Sequence, residues 1–252
     1  MFANRIALIT GGGSGIGRAV ANILAKESAS IVIADQSING ANETKQLIES
    51  QVKSGVKHLS LEVDVSQMDS LKRVFKAINE NYDNRVATLL VNCAGITRDQ
   101  MMTKLSEQDF DKVIAVNLKG TFMATQLFCQ QMIENKQTDG SVVNVSSVSA
   151  KLGNIGQSNY NASKAGVEAL TRTAAQEMAK FNIRVNVVMP GFINTPIVQT
   201  IPQKVLDQLI SNIPLRRQGK PEEVGEAIAF LLSPKSSYIT GTILQVSGGL
   251  AL

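Results

Sequence analysis

A tyrosine and a lysine four residues apart carry the most suggestive chemistry in this sequence. They lie in the segment SNYNASKAG, residues 158–166, as Tyr160 and Lys164. Residues four apart on a helix share one face, so the ammonium of Lys164 can lie near the phenol of Tyr160. A phenol with an ordinary pKa near 10 is a poor acid or base at neutral pH. At about 5 Å and an effective dielectric constant of about 20, the lysine would favour the phenolate by roughly 3 kcal/mol. We therefore predict that Tyr160 moves a proton and that Lys164 lowers its pKa; the alternative is a chance pair on a helix.

Two other polar residues point to the same site. Ser147 ends the strand-like run SVVNVSS, where ligands of open α/β sheets bind, and its hydroxyl can donate a hydrogen bond to a substrate oxygen. Asn117 lies in the helical stretch VIAVNLKG, where its amide either hydrogen-bonds internally or holds a water. His58 is the single histidine and begins the run HLSLEVD, far from the edge where Ser147 lies, so we predict a structural role for it.

A glycine-rich segment predicts a nucleotide site. TGGGSGIG, residues 10–17, follows a strand pattern and begins a helix, so its backbone can approach a pyrophosphate at the helix N-terminus. Asp35 ends the next strand pattern, where a carboxylate accepts hydrogen bonds from ribose hydroxyls. It would repel a 2′-phosphate, and Ser14 supplies no positive charge. The sequence therefore predicts NAD rather than NADP, the alternatives being a plain strand-to-helix turn and an unrelated surface Asp35.

Short β-rich runs alternate with helix-period segments through nearly the whole chain. This alternation predicts an α/β fold built from βαβ units, with a parallel sheet covered by helices on both faces. The predicted strands are RIALIT, SIVIAD, HLSLEVD, TLLVNCA, SVVNVSS, RVNVVMP and TILQV, and the predicted helices span 15–28, 39–54, 67–82, 107–134, 158–181 and 221–232.

The chain is predicted to form one domain, residues 1–252, because no linker, repeat or low-complexity tract divides it. One insertion, residues 192–220, interrupts the alternation and is predicted to form a lid over the site. Its apolar residues would suit an acyl chain or a sterol, or else pack as ordinary helix residues; they are Ile193, Ile197, Leu206 and Ile210.

Composition excludes several classes of function. Hydrophobic residues make up 44% of the 252 residues and charged residues 18%, which is typical of a globular protein. The net charge of +4 comes from scattered Lys and Arg, and Trp is absent, so a nucleic-acid surface is not expected. No membrane span, signal peptide or zinc site is expected either. Cys93 and Cys129 are predicted to be buried free thiols rather than a disulfide.

Taken together, the motifs resemble the short-chain dehydrogenase/reductase family over essentially the whole chain. The resemblance is carried by TGGGSGIG, NCAG at 92–95, NLKG at 117–120, Ser147, YNASK at 160–164 and PG at 190–191. It implies a single-domain Rossmann fold with a doubly wound, seven-stranded parallel sheet, and a catalytic tetrad of Asn117, Ser147, Tyr160 and Lys164.

The family pattern also implies a role for each of these residues. Tyr160 would protonate the carbonyl oxygen as hydride arrives from NADH, and Ser147 would polarise that oxygen, so both would contact substrate. Lys164 would bind the nicotinamide ribose, and Asn117 would position a water that relays protons. Asp64 and Val65 would border the adenine. The residues expected to bind NAD are Gly11, Gly13, Ser14, Gly15, Ile16, Gly17, Asp35, Asp64, Val65, Asn92, Ala94, Gly95, Tyr160, Lys164, Gly191, Ile193 and Thr195.

Within the family, the segments DKVIAVNLKGTF, GNIGQSNYNASKAG and NVVMPGFINTP resemble 3-oxoacyl-[acyl-carrier-protein] reductases and the 17β-hydroxysteroid dehydrogenases of type 8. The implied function is NAD(H)-dependent reduction of a 3-oxoacyl thioester in fatty acid metabolism, with estradiol oxidation as the alternative. A different class, an NAD-binding structural subunit of a mixed oligomer, also stays open. The resemblance further implies a homotetramer and the mitochondrial matrix, with the cytoplasm as the alternative compartment. Thr138 and Phe181 stand where bacterial reductases offer arginines to the carrier protein, so we do not expect this chain alone to dock it strongly.

Overall fold

In the described part of the chain, the sheet contains seven parallel strands in the order β3-β2-β1-β4-β5-β6-β7. The computed structural model describes residues 1–52, 55–195 and 203–251. The predicted Rossmann-type α/β fold is confirmed, and each strand falls within or beside a predicted run. The strands are β1 Ile6–Thr10, β2 Ser30–Asp35, β3 Leu59–Glu62, β4 Leu89–Asn92, β5 Gly140–Val145, β6 Ile183–Pro190 and β7 Ile243–Val246.

Helices cover both faces of the sheet and bury its strands from each side. Alternate residues of β1 show this, since Ala7 and Ile9 belong to one apolar cluster whereas Ile6 and Leu8 belong to the other. A parallel strand buried on both faces reads as a continuous apolar run, which is why IALIT is recognisable in the sequence. The helices are α1 Gly15–Lys26, α2 Ile38–Gln51, α3 Met68–Asn81, α4 Glu107–Ile114, α5 Thr121–Glu134, α6 Ser149–Leu152, α7 Ser158–Met178, α8 Gln203–Ser211 and α9 Pro221–Leu232.

The long helix predicted for 107–134 is interrupted. A π-helical turn, Ala115–Gly120, separates α4 from α5 and contains Asn117. The second long helix also ends earlier than predicted, because a 3₁₀ turn, Ala179–Phe181, follows α7. In the ranges that the structure describes, none of the helices combines the length and the apolar character needed to span a membrane.

Hydrogen bonds join the beginning and the end of the insertion that is predicted to form a lid. The N–H of Gly219 donates to the carbonyl of Phe192 at 3.0 Å, and the N–H of Asn194 donates to the carbonyl of Gly219 at 2.9 Å. Helix α8 lies within the insertion, with Leu206 and Ile210 partly buried. Ile197 lies outside the described residues.

Candidate active site

A cavity of about 380 Å³ opens at the carboxyl ends of the strands, where the strand order changes direction between β1 and β4. Open α/β sheets bind ligands at this switch point because the loops on its two sides diverge and leave a crevice. Most of the predicted site residues line the cavity, namely Gly11, Ser14, Gly15, Ile16, Gly17, Asp35, Asp64, Val65, Ala94, Gly95, Ser147, Tyr160, Lys164, Gly191, Ile193 and Thr195.

The glycine loop forms one end of the cavity and requires glycine for steric reasons. A Cβ on Gly17 would lie 2.2 Å from the carbonyl oxygen of Gly11, and a Cβ on Gly11 would lie 2.6 Å from the backbone nitrogen of Ala94. Helix α1 begins at Gly15, and the side chain of Ser14 makes no capping hydrogen bond to it. Its first backbone N–H groups therefore remain available to an anionic ligand, which fits the pyrophosphate of a dinucleotide.

Asp35 lies beside this loop with both carboxylate oxygens oriented by backbone groups. Oδ2 accepts a hydrogen bond from the N–H of Gly13 at 2.9 Å, and Oδ1 accepts one from the N–H of Ser37 at 2.9 Å. Each oxygen keeps a further lone pair for a ligand hydroxyl. The carboxylate thus has the position and the chemistry to bind a ribose diol.

Ser147 and Tyr160 meet at the other end of the cavity. β5 ends at Val145, so Ser147 lies in the loop after the strand rather than at the strand's last position. The Ser147 hydroxyl lies 2.8 Å from the hydroxyl of Ser149. Burial raises the pKa of the Tyr160 phenol and is the largest effect, while the nearby Ser147 side chain lowers it. The predicted lowering of this pKa is therefore wrong for the folded chain, and Tyr160 stays a protonated donor at neutral pH.

Lys164 lies one turn along α7 from Tyr160, with its side chain almost completely buried. Its Nζ lies 5.7 Å from the centroid of the Tyr160 ring and donates to the carbonyl of Val145 at 2.8 Å. Burial lowers the pKa of Lys164 from 10.5 to about 8, because a desolvated ammonium is disfavoured. Placed this way, the ammonium can bind a polar ligand group and also exchange a proton near neutral pH.

Asn117 lies behind the cavity wall rather than in it. Its Oδ1 accepts from the N–H of Ile96 at 2.8 Å, and its Nδ2 donates to the carbonyl of Ile96 and to Ser163 Oγ. A Cβ on Gly95 would lie 3.4 Å from both Asn117 Oδ1 and Lys164 Nζ. Asn117 thus fixes the loop over Lys164 through its amide, and a π-helical turn at this position is typical of functional sites.

Two other predicted cofactor residues do not line the cavity. Asn92 is buried, and its amide donates to Asn144 at 2.9 Å and to Thr125 at 3.2 Å, because the sheet interior needs partners for polar groups. Gly13 turns its N–H toward Asp35 and leaves no space for a side chain on that side. Both support the site from behind.

Sequence reasoning also missed residues that line or position the site. Asn159 is fully buried; it accepts from the N–H of Tyr160 at 2.7 Å and donates to the carbonyl of Arg98 at 3.0 Å. It therefore joins the first turn of α7 to the loop after β4. Ten further lining residues of the described chain lie within two positions of predicted ones, and this proximity in the sequence is the available signal: Gln36, Val63, Cys93, Ile96, Thr97, Val116, Val145, Ser146, Pro190 and Phe192.

Cys93 contributes a neutral side chain to the cavity wall, whereas Cys129 and the single histidine, His58, are not among its lining residues. Burial raises the pKa of Cys93 to about 12, so its thiol stays neutral and packs. Both cysteines are free thiols. His58 is buried, and its Nδ1 accepts a hydrogen bond from the N–H of Ile31 at 3.2 Å. Among the described residues, no group of three or more His, Cys, Asp or Glu side chains is placed to hold a metal ion.

Comparison with known proteins decides the family. The family model described as "Enoyl-(Acyl carrier protein) reductase" matches residues 11–251. The (3R)-3-hydroxyacyl-CoA dehydrogenase of Canis lupus familiaris is 46% identical over 97% of this chain and 95% of its own. A 3-oxoacyl-[acyl-carrier-protein] reductase FabG of Thermotoga maritima is 45% identical over 98% of both chains. The crystal structure of levodione reductase superposes with a TM-score of 0.94 at 34% identity, covering 100% of this chain and 99% of that one.

The chain belongs to the short-chain dehydrogenase/reductase family. It is an oxidoreductase of alcohol and carbonyl groups that uses a nicotinamide cofactor. The cavity suits such a cofactor, since the free N–H groups of α1 and the carboxylate of Asp35 lie at one end and a buried Tyr160 lies at the other.

Proposed function

We propose that this enzyme transfers hydride between NAD(H) and a 3-oxoacyl or 3-hydroxyacyl thioester. The observation that carries the proposal is the convergence of Ser147, Tyr160 and Lys164 at one end of a cavity whose other end holds the glycine loop and Asp35. Relatives that match nearly the whole chain are named for 3-hydroxyacyl-CoA oxidation and 3-oxoacyl-[acyl-carrier-protein] reduction, which supports the substrate class.

Each polar group at the reacting end has a distinct proposed task. In reduction, the Tyr160 hydroxyl donates its proton to the substrate oxygen, and burial favours this protonated form. The Ser147 hydroxyl donates a hydrogen bond to the same oxygen, where negative charge develops. The reduced nicotinamide, when bound, supplies the hydride. Lys164 would hold the nicotinamide ribose through its Nζ, and its ammonium would stabilise the phenolate that Tyr160 becomes after donation. Asn117 keeps the loop over Lys164 in place and, as the family pattern implies, positions the water that returns a proton.

The choice of NAD over NADP is proposed from Asp35. Its two oxygens already accept backbone hydrogen bonds, so the carboxylate is held in place. A 2′-phosphate would meet this fixed negative charge and would find no cation at Ser14. The lost contact and the repulsion together should cost the NADP complex roughly 2 to 4 kcal/mol on the scale of charged hydrogen bonds.

The oligomeric state, the domain organisation and the cellular compartment of the enzyme are also proposals. Apolar side chains on α4 and α5 are partly exposed, at 40% for Phe110, 43% for Phe122 and 38% for Ile133. Their exposure supports a homotetramer that buries these helices, and a single 27.0 kDa species in sedimentation would contradict it. We also propose that the whole chain acts as one domain, with residues 192–220 as a lid over the site. We place the enzyme in the mitochondrial matrix on the resemblance to the type 8 dehydrogenases.

A substrate and cofactor panel tests the proposed function. Purified protein is assayed with NADH and NADPH against acetoacetyl-CoA, and with NAD against estradiol. We expect acetoacetyl-CoA reduction with a clear preference for NADH. Estradiol oxidation without thioester reduction would favour the steroid alternative, and cofactor binding without turnover on either substrate would favour a structural subunit.

A further inference from the structure

An arginine lies behind the glycine loop, outside the lining of the cavity, and contacts a threonine, a carbonyl and a carboxylate there. Arg18, on α1, donates through Nε to Thr44 Oγ1 at 2.9 Å, and its guanidinium also contacts the carbonyl of Gly13. The same guanidinium pairs with the carboxylate of Glu43 at 2.9 Å. Gly13 connects this cation to Asp35, because its carbonyl contacts the guanidinium while its N–H donates to the carboxylate.

The position of Arg18 is fixed by a buried residue rather than by the ion pair. Thr44 is fully buried, and its hydroxyl lies 3.0 Å from the carbonyl oxygens of both Gly12 and Gly40, which share its single proton, so Thr44 links α2 to the glycine loop. Glu43, in contrast, is 65% exposed. An exposed pair of this kind contributes little to stability, so its main physical effect is on the local charge.

The summed charge of Asp35, Glu43 and Arg18 affects how a 2′-phosphate is accepted. Asp35 and Glu43 contribute two negative charges and Arg18 one positive charge, so these three groups sum to −1, in addition to the carboxylates of Glu62, which pairs with Asp35 in the sheet, and of Asp64 in the cavity wall. Removing Glu43 would bring the sum of the three groups to zero, because Arg18 would then balance Asp35. A 2′-phosphate senses this sum, since charges within about 10 Å are only partly screened at physiological ionic strength.

We propose that Glu43 is a second determinant of cofactor choice, acting by neutralising Arg18. The inference rests on the proposed preference for NAD(H) and extends it from one residue to three. Arg18 would attract the 2′-phosphate of NADPH, but Glu43 cancels that attraction. Cofactor choice in this chain thus depends on α2 as well as on the end of β2.

The test measures the dissociation constants of NADH and NADPH from the fluorescence of the reduced nicotinamide. Four proteins are compared: wild type, Glu43→Gln, Arg18→Met and the double variant. The matched control is Glu80→Gln, which removes an exposed carboxylate paired with Lys76 on α3. We expect Glu43→Gln to tighten NADPH about threefold to tenfold relative to NADH, an effect that shrinks at high salt, and Glu80→Gln to change neither constant.

The double variant decides whether Arg18 is responsible. If Glu43 acts by neutralising it, adding Arg18→Met to Glu43→Gln should return the ratio of the two constants close to the wild-type value. A gain that persists in the double variant would show direct repulsion by Glu43 and overturn the role of Arg18, and an unchanged ratio in Glu43→Gln would overturn the proposal. Wild-type preference for NADPH would instead refute the proposed cofactor, while the change on Glu43→Gln would still report on Arg18.

Discussion

Replacing Lys164 with methionine should stabilise the fold while removing activity. Lys164 is 4% exposed, and its ammonium donates to the carbonyl of Val145. The difference between its ordinary pKa of 10.5 and about 8 means that keeping it charged at pH 7 costs about 3 kcal/mol, at 1.36 kcal/mol per tenfold change. Losing the hydrogen bond costs about 1 kcal/mol, so Lys164→Met should gain about 2 kcal/mol. Methionine fills a similar volume, which limits any packing loss.

The stability difference between Lys164→Met and the wild type should depend on pH. Because the folded pKa of Lys164 is the lower one, the unfolded chain binds more protons between about pH 8 and pH 10.5, and wild-type stability gains from rising pH in that window. Urea unfolding at pH 7 and pH 9.5 should therefore show a large advantage of Lys164→Met at pH 7 that shrinks at pH 9.5. A Lys164→Met variant less stable than the wild type at pH 7 would show that the buried ammonium does not destabilise the fold.

Three further outcomes are expected. Arg184 is buried and donates to the carbonyls of Leu231, in the last turn of α9, and of Ser233, just after it. Arg184→Met should therefore cost about 2 to 4 kcal/mol in urea unfolding, whereas the exposed Arg73→Met should cost under about 0.5 kcal/mol. Asn159→Ala should lower kcat about tenfold to a hundredfold by displacing Tyr160, with NADH affinity nearly unchanged; an unchanged kcat would refute its positioning role. Burial lowers the pKa of His58, so the folded state prefers neutral imidazole and should lose stability as pH falls below about 6.5; a His58→Asn variant that loses as much would contradict this.

Local patterns predicted the elements of the fold well. The apolar run of β1 and the glycines of residues 10–17 express constraints that act within a few residues, namely burial on both sheet faces and close backbone approach. The carboxyl edge of the sheet then brings Asp35, Ser147 and Tyr160 to one cavity, as the topology of a doubly wound sheet requires.

Properties that depend on contacts between distant parts of the chain could not be predicted from local sequence patterns. The pKa of Tyr160 was predicted from the nearby Lys164 alone, but burial by the whole site is the larger effect. Asn92 lies in a motif of cofactor-lining residues, yet its amide serves the interior of the sheet. The contact of Arg18 on α1 with Glu43 on α2 joins residues 25 positions apart in the chain, which no local pattern reveals.

Turnover of Tyr160→Phe tests the central claim most directly. The variant removes the hydroxyl proposed to donate the proton and keeps the ring, while Tyr238→Phe serves as the control because Tyr238 is fully exposed. Reduction of acetoacetyl-CoA by NADH is followed through the loss of nicotinamide absorbance, with NADH binding measured in parallel. We expect kcat to fall at least about 10² to 10⁴-fold in Tyr160→Phe, with NADH affinity nearly unchanged and Tyr238→Phe active. Near-normal turnover in Tyr160→Phe would contradict the account.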